Sequence, residues 1–170
     1  MEKPRGFADQ VEKWLSHIPG VRTYKNREQR RETDKQFREQ LASRLQEMKS
    51  QLNQIALNFS QKQELGLLPE IDRLSSRLQQ IADMIRYASY GYGGIFDLQK
   101  IREEELDRLY NFDLSLMEDL EGIQAKLDGI GQSPSPETWK KGSAEADTLL
   151  RALDKKFRQR KEFMSRAADE

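Results

Sequence analysis

The chain has 170 residues, the size of one domain, with 29 Lys and Arg balanced by 29 Asp and Glu, so that charged residues make up 34% of it. It has no cysteine and one histidine, His17, which excludes a disulfide framework, a thiolate metal site and the paired Glu-x-x-His motifs of di-metal carboxylate bundles. The mean hydropathy of −0.90 would suit disorder, but apolar residues recur at helical spacing, no run approaches the roughly 20 apolar residues that span a bilayer, and Met1 to Gly6 lacks a signal peptide's apolar core, so the expectation is a cytoplasmic helical protein.

Phe7, Val11, Trp14, Leu15 and Ile18 share one face of a short helix over residues 7–18, which Pro19-Gly20 stops. Such a helix can lie on an anionic membrane surface or close the end of a bundle. Asp9 and Glu12 on its polar side favour the second.

Residues 25–36 carry no apolar side chain, yet no Gly or Pro separates them from the next pattern. There Phe37, Leu41, Leu45, Met48, Leu52, Ile55 and Phe59 recur at three- and four-residue steps, close to a heptad seam, and predict one helix over 25–64. Leu65-Gly66-Leu67-Leu68-Pro69 breaks it, with Gly66 near the end of one helix and Pro69 at the start of the next. Ile71, Leu74, Leu78, Ile81 and Ile85 continue the same stepping and predict a helix over 69–89, antiparallel to the first because the break is short.

Arg86 to Asp97 then interrupts the helical pattern with Tyr87, Tyr90, Tyr92 and Phe96 among Gly91, Gly93 and Gly94. A phosphate-binding loop would need a preceding strand, an immediate helix start and usually a Lys, and none of these is present. Glycines that allow close backbone approach and rings that fill a bundle end make this an aromatic crossover. The same composition also suits a contact surface for another protein.

Leu106, Leu109, Asp113, Leu116, Leu120, Ile123, Leu127 and Ile130 form the third seam, predicting a helix over 102–130. Asp113 interrupts it. A carboxylate on a buried seam requires a partner, and Arg86, Lys100 and Arg27 to Arg31 are the candidate cations. No second acid, His or nucleophile stands beside Asp113 at readable spacing, so acid–base catalysis has no partner there. After the linker Gly131 to Pro136, a last helix over 137–166 places Trp139, Ala146, Leu149 or Leu150, Leu153, Phe157 and Phe163 or Met164 near helical spacing. The expected fold is therefore all-α: one domain over 1–170, an antiparallel bundle of about four long helices with the short N-terminal helix and the Tyr/Gly-rich crossover.

The zero net charge conceals segregation. Nine acids fall between Asp97 and Glu121, whereas residues 155–161 hold five bases and no acid. Basic runs bind nucleic acid or anionic lipid, but basic and acidic helices can also face each other within one bundle, and that reading is preferred.

Two stretches, Ile18-Pro19-Gly20-Val21-Arg22-Thr23-Tyr24-Lys25 with Arg30-Arg31-Glu32-Thr33-Asp34-Lys35, and Arg86 to Asp97 with Leu106 to Asp113, resemble a group of uncharacterised bacterial helical proteins. That group carries I-P-G-Y-x-x-Y-K, R-R-x-x-D and Y-A-S-Y-G-Y-x-G-x-F-D segments; Val21 stands where it often has Tyr. The resemblance implies no activity. It does suggest that Tyr24, Arg27, Arg30, Arg31 and Asp34 lie against the crossover and Asp113 on one surface, with the crossover braced by Arg86 and Asp113.

These readings together point to a non-enzymatic interaction or scaffold protein without cofactor or metal. Its contact surface is expected to comprise Tyr24, Arg27, Arg30, Arg31, Asp34, Arg86, Tyr87, Tyr90, Tyr92, Phe96, Asp97, Tyr110 and Asp113. The partner is a protein or, since the Phe37 to Phe59 seam could pair between chains, a second copy. The alternatives are peripheral membrane binding through the Phe7 to Ile18 face and the basic last helix and, more weakly, nucleic-acid binding.

Overall fold

The computed structural model describes residues 27–88 and 103–169. Within them lie four long helices and one 3-10 turn, and no strand. Helix α1 spans Arg27–Gln61, the 3-10 turn Leu65–Leu67, helix α2 Leu68–Arg86, helix α3 Glu103–Gln132 and helix α4 Pro136–Asp169. The expected 7–18 helix and the crossover from Ser89 onward lie outside the described residues.

The seams read from spacing form the core. Phe37, Leu41, Leu45, Met48, Leu52, Ile55 and Phe59 of α1 are buried, as are Ile71, Leu74, Leu78, Ile81 and Ile85 of α2. Leu116, Leu120, Ile123, Leu127 and Ile130 of α3 meet Trp139, Ala146, Leu150, Leu153 and Phe157 of α4 in the same cluster. Between the two candidates on α4, Leu150 is fully buried while Leu149 packs at the margin. Withdrawing each such Leu, Ile or Phe side chain from water contributes about 1.5–3 kcal/mol before conformational entropy is charged against it.

Cross-helix bonds give the pairing. Arg38 of α1 reaches Arg86 of α2, and Gln46 of α1 reaches Gln79. Asp113 of α3 meets Arg160 of α4, Asp119 meets Lys156 and Lys126 meets Glu145. In both helix pairs, positions that rise along one member fall along the other. The pairs are joined through α1 and α3, where Gln124 donates to Gln51 at 2.8 Å and Gln51 donates to Asp128 at 2.9 Å.

The helix ends depart from the sequence expectation for local reasons. Glycine was expected to end α1, but the helix stops at Gln61, three residues short of the expected end at Glu64, and turns through Gln63, whose φ of 62° puts a non-glycine residue in the left-handed region. Glu64 N donates to Phe59 O and Gln63 N to Ser60 O, the two bonds of a Schellman motif. Gly66 sits in the 3-10 turn instead. Pro69 occupies the first turn of α2, as expected. Helix α2 ends at Arg86, and α3 runs through Gly129 and Gly131 as far as Gln132. Ser135 and Thr138 cap α4 reciprocally: Thr138 N donates to Ser135 Oγ at 3.2 Å, and Ser135 N donates to Thr138 Oγ1 at 2.9 Å.

Two close fits hold the turn end. Trp139, fully buried, meets Phe59 edge-on with ring centroids 6.2 Å apart and donates Nε1–H to Glu70 at 3.0 Å. Gly142 of α4 passes α3 so closely that a Cβ there would lie 2.6 Å from Ile130 Cγ1.

Candidate functional site

One charged residue interrupts the α3 seam and one continues each of the α1 and α4 seams, and the structure brings the three together. Asp34 lies one step before Phe37 on α1, Asp113 between Leu109 and Leu116 on α3, and Arg160 one step after Phe157 on α4. The Arg160 guanidinium donates through Nε to Asp113 Oδ1 at 2.6 Å and through Nη2 to Asp34 Oδ1 at 2.8 Å, with a longer bond to Asp113 Oδ2 at 3.3 Å. It also stands 5.3 Å from the centroid of the Phe37 ring.

Arg38 completes the cluster. Its Nε donates to Asp34 Oδ2 at 2.9 Å, one helical turn away, and its Nη1 donates to the carbonyl of Arg86 at 2.8 Å. That carbonyl belongs to the last turn of α2, whose final C=O groups have no partner within the helix. A buried cation at a helix C-terminus also opposes the helix dipole. All four helices thus meet through two guanidiniums and two carboxylates, and the charges balance where isolated ones would be costly.

Burial is the largest influence on Asp113 and pushes its carboxyl up from 3.8 to about 6. The charge and hydrogen bond of Arg160 oppose the rise, and the neighbouring Asp34 charge adds to it. Among the described residues, no group of three or more His, Cys, Asp or Glu side chains is placed to hold a metal ion.

The expected bracing of the crossover by Arg86 and Asp113 lies outside the described residues, but Arg86 is not the cation that holds Asp113: Arg160 is, and Arg86 donates to Glu39 on α1 at 3.3 Å. Asp34, expected on a contact surface, is 6% exposed and turned into the cluster. Tyr87 is different: its backbone N–H closes the end of α2 on Asp83 O at 2.9 Å, and its side chain is 65% exposed. Phe112 packs on Phe163 nearby in sequence to the cluster, with ring centroids 5.9 Å apart. Tyr24, Tyr90, Tyr92, Phe96 and Asp97 lie outside the described residues, as do Phe7, Val11, Trp14, Leu15 and Ile18. For Arg27, Arg30, Arg31 and Tyr110 the helical backbone is described and the side chain is not.

Two of the five bases in the basic run, Lys156 and Arg160, are engaged across helices inside the fold. Arg160 is buried, Lys156 Nζ lies 2.9 Å and 2.8 Å from the two oxygens of Asp119, and Arg158 pairs with Asp154 one turn back. Asp119 Oδ2 is buried without a well-directed hydrogen bond, and the ammonium at 2.8 Å compensates its charge. Lys155 and Lys161 remain exposed. The pairing of Asp119 and Asp113 with this run is the facing of acidic and basic helices that the charge segregation suggested. Sequence reading missed Arg160 because it stood among five bases; the available signal was the three-residue step from Phe157, which continues the seam.

Comparison of the chain with protein-family models, with curated proteins and with solved structures finds no match.

Proposed function

We propose that the chain is a non-enzymatic interaction or scaffold protein, an antiparallel four-helix bundle that presents the end bearing Tyr87 to a protein partner. The contact surface is formed by Tyr87 and Arg86 with the crossover residues Tyr90, Tyr92, Phe96 and Asp97 and with Tyr24, Arg27, Arg30, Arg31 and Tyr110. Asp34 and Asp113 stiffen this surface from beneath.

The observation that supports the reading is the placement of Tyr87. A large amphipathic ring, 65% exposed, leaves a helix terminus that a buried arginine clamps from below. An exposed aromatic side chain on a preorganised support loses little conformational freedom on binding, which is why Tyr is enriched among the residues that dominate interfaces.

The test compares capture of partners by the tagged chain and by its Tyr87→Ala and Tyr90→Ala variants in the native host, with helical circular dichroism as the control for folding. Loss of a captured protein at unchanged helicity supports the surface. Undiminished capture by both variants refutes it. Flotation with anionic liposomes addresses the membrane alternative in the same preparation.

A further inference from the structure

Helix α2 packs along α1 and α4 along α3, while α2 and α4 touch each other over a much shorter stretch. Between these last two runs a groove in two halves, of about 350 and about 370 Å³. Arg77 and Arg151 line both halves, so the groove is continuous along the side of the bundle.

Its walls are cationic. Arg73 and Arg77 come from α2, and Lys140, Arg151 and Arg158 from α4. Three carboxylates also line it, and each is already engaged. Asp147 accepts from both Arg77 and Arg151, Asp154 accepts from Arg158 at 3.0 Å, and Glu70 accepts from buried Trp139 at 3.0 Å. Arg151 and Arg158 bond to these carboxylates through Nε, their side chains are 68% and 65% exposed, and their pairs lie on one helix face where such pairs are weak. Arg73 and Lys140 are exposed and have no ion-pair partner among the described residues. In the half beyond Arg77, half-buried Met84 supplies the apolar surface, above the buried Ile81 and Leu150.

We infer that the α2/α4 groove is a docking site for an acidic amphipathic helix of a partner protein. A helix laid between two others extends the packing already used in the bundle, places its apolar face against Met84, and sets its carboxylates against the cations on both walls. A nucleic acid suits the groove less well: the aromatic side chain that lines it, Trp139, is fully buried and offers no stacking face. A lipid surface meets convex faces, and this one is concave. The inference stands apart from the Tyr87 surface, because Arg73 and Lys140 lie far along the helices from that end.

The test uses a fluorescein-labelled peptide of about 20 residues, about 30 Å long as a helix, with Leu at every third or fourth position and Glu elsewhere. Fluorescence anisotropy on the full chain should show saturable binding that weakens with added salt. Arg73→Glu with Lys140→Glu should lower the affinity at least about tenfold. Lys155→Glu with Lys161→Glu changes the net charge equally outside the groove and should leave the affinity nearly unchanged. All four positions are exposed, and circular dichroism confirms folding of each variant. Equal losses in the two double variants would overturn the groove assignment. So would absence of peptide binding. Binding of single-stranded RNA or phosphatidylserine vesicles that is abolished by the groove variant, with the peptide unbound, would replace the ligand class.

Discussion

Arg160 of α4 donates to Asp34 of α1 at 2.8 Å across 126 residues of sequence, with both side chains withdrawn from water. The same guanidinium holds Asp113, so one side chain ties α4 to two other helices. Desolvating these groups is costly, and their joint placement offsets the cost only while every partner is present.

Arg160→Met should therefore destabilise the fold by about 3–5 kcal/mol, since it leaves Asp113 buried without its cation. Adding Asp113→Asn to it should cost much less than the sum of the two single effects, with a coupling of at least about 1 kcal/mol. Urea unfolding of the four members of the cycle, followed by circular dichroism, measures the difference. Additive effects would show that the pair does not act as a unit.

The raised Asp113 carboxyl gives the sign of a pH effect. Folding moves it from 3.8 to about 6, so the folded state binds the proton more tightly than the unfolded chain. Its contribution to stability is complete below the ordinary value and is lost as pH rises through about 6, by up to about 3 kcal/mol over the window. Asp113→Asn removes that titration. Its stability relative to the unsubstituted chain should accordingly rise between about pH 4 and about pH 7, and parallel pH profiles of the two would contradict the assignment.

Two glycines of the α3–α4 pair should respond oppositely to alanine. At Gly129 a Cβ meets nothing within 4 Å, and Gly129→Ala should stabilise by up to about 1 kcal/mol through helix propensity. At Gly142 the same methyl would press on the buried Ile130, 2.6 and 2.8 Å from its Cγ1 and Cδ1. Overpacking of about 1–3 kcal/mol outweighs the propensity gain there. Thermal midpoints of the two variants should move in opposite directions.

Gln63→Gly should raise stability by about 0.5–1 kcal/mol, because glycine adopts the left-handed conformation of this helix end without steric cost. Placing the glycine at Gly66 has no such effect on α1, whose terminal bonds run through Gln63 and Glu64. A higher urea midpoint at unchanged slope is the expected result.

The core faces of the helices were legible, and their ends to within about three residues, because steps of three and four between Phe37 and Phe59 or between Ile71 and Ile85 leave few alternatives in a chain so polar elsewhere. The partner of Asp113 was not. A buried ion pair has no sequence signature linking its members, and Arg86 was nearer in the chain than Arg160. Reading the polar interruptions of the seams as a set would have found it, since Asp34, Asp113 and Arg160 each occupy a position that spacing assigns to the core. The end of α1 was misplaced because glycine is the usual left-handed residue, whereas here a glutamine takes that role and Gly66 lies beyond it.

Trp139 has an optical consequence. The chain holds two tryptophans, and this one sits fully buried against Phe59 of α1 with its indole N–H on Glu70 of α2. With Trp14→Phe in place, emission arises from the joint between the α1–α2 and α3–α4 pairs alone. A shift of that emission to longer wavelength while helicity persists would record the two pairs parting before either one melts, so the protein carries its own gauge of how its halves assemble.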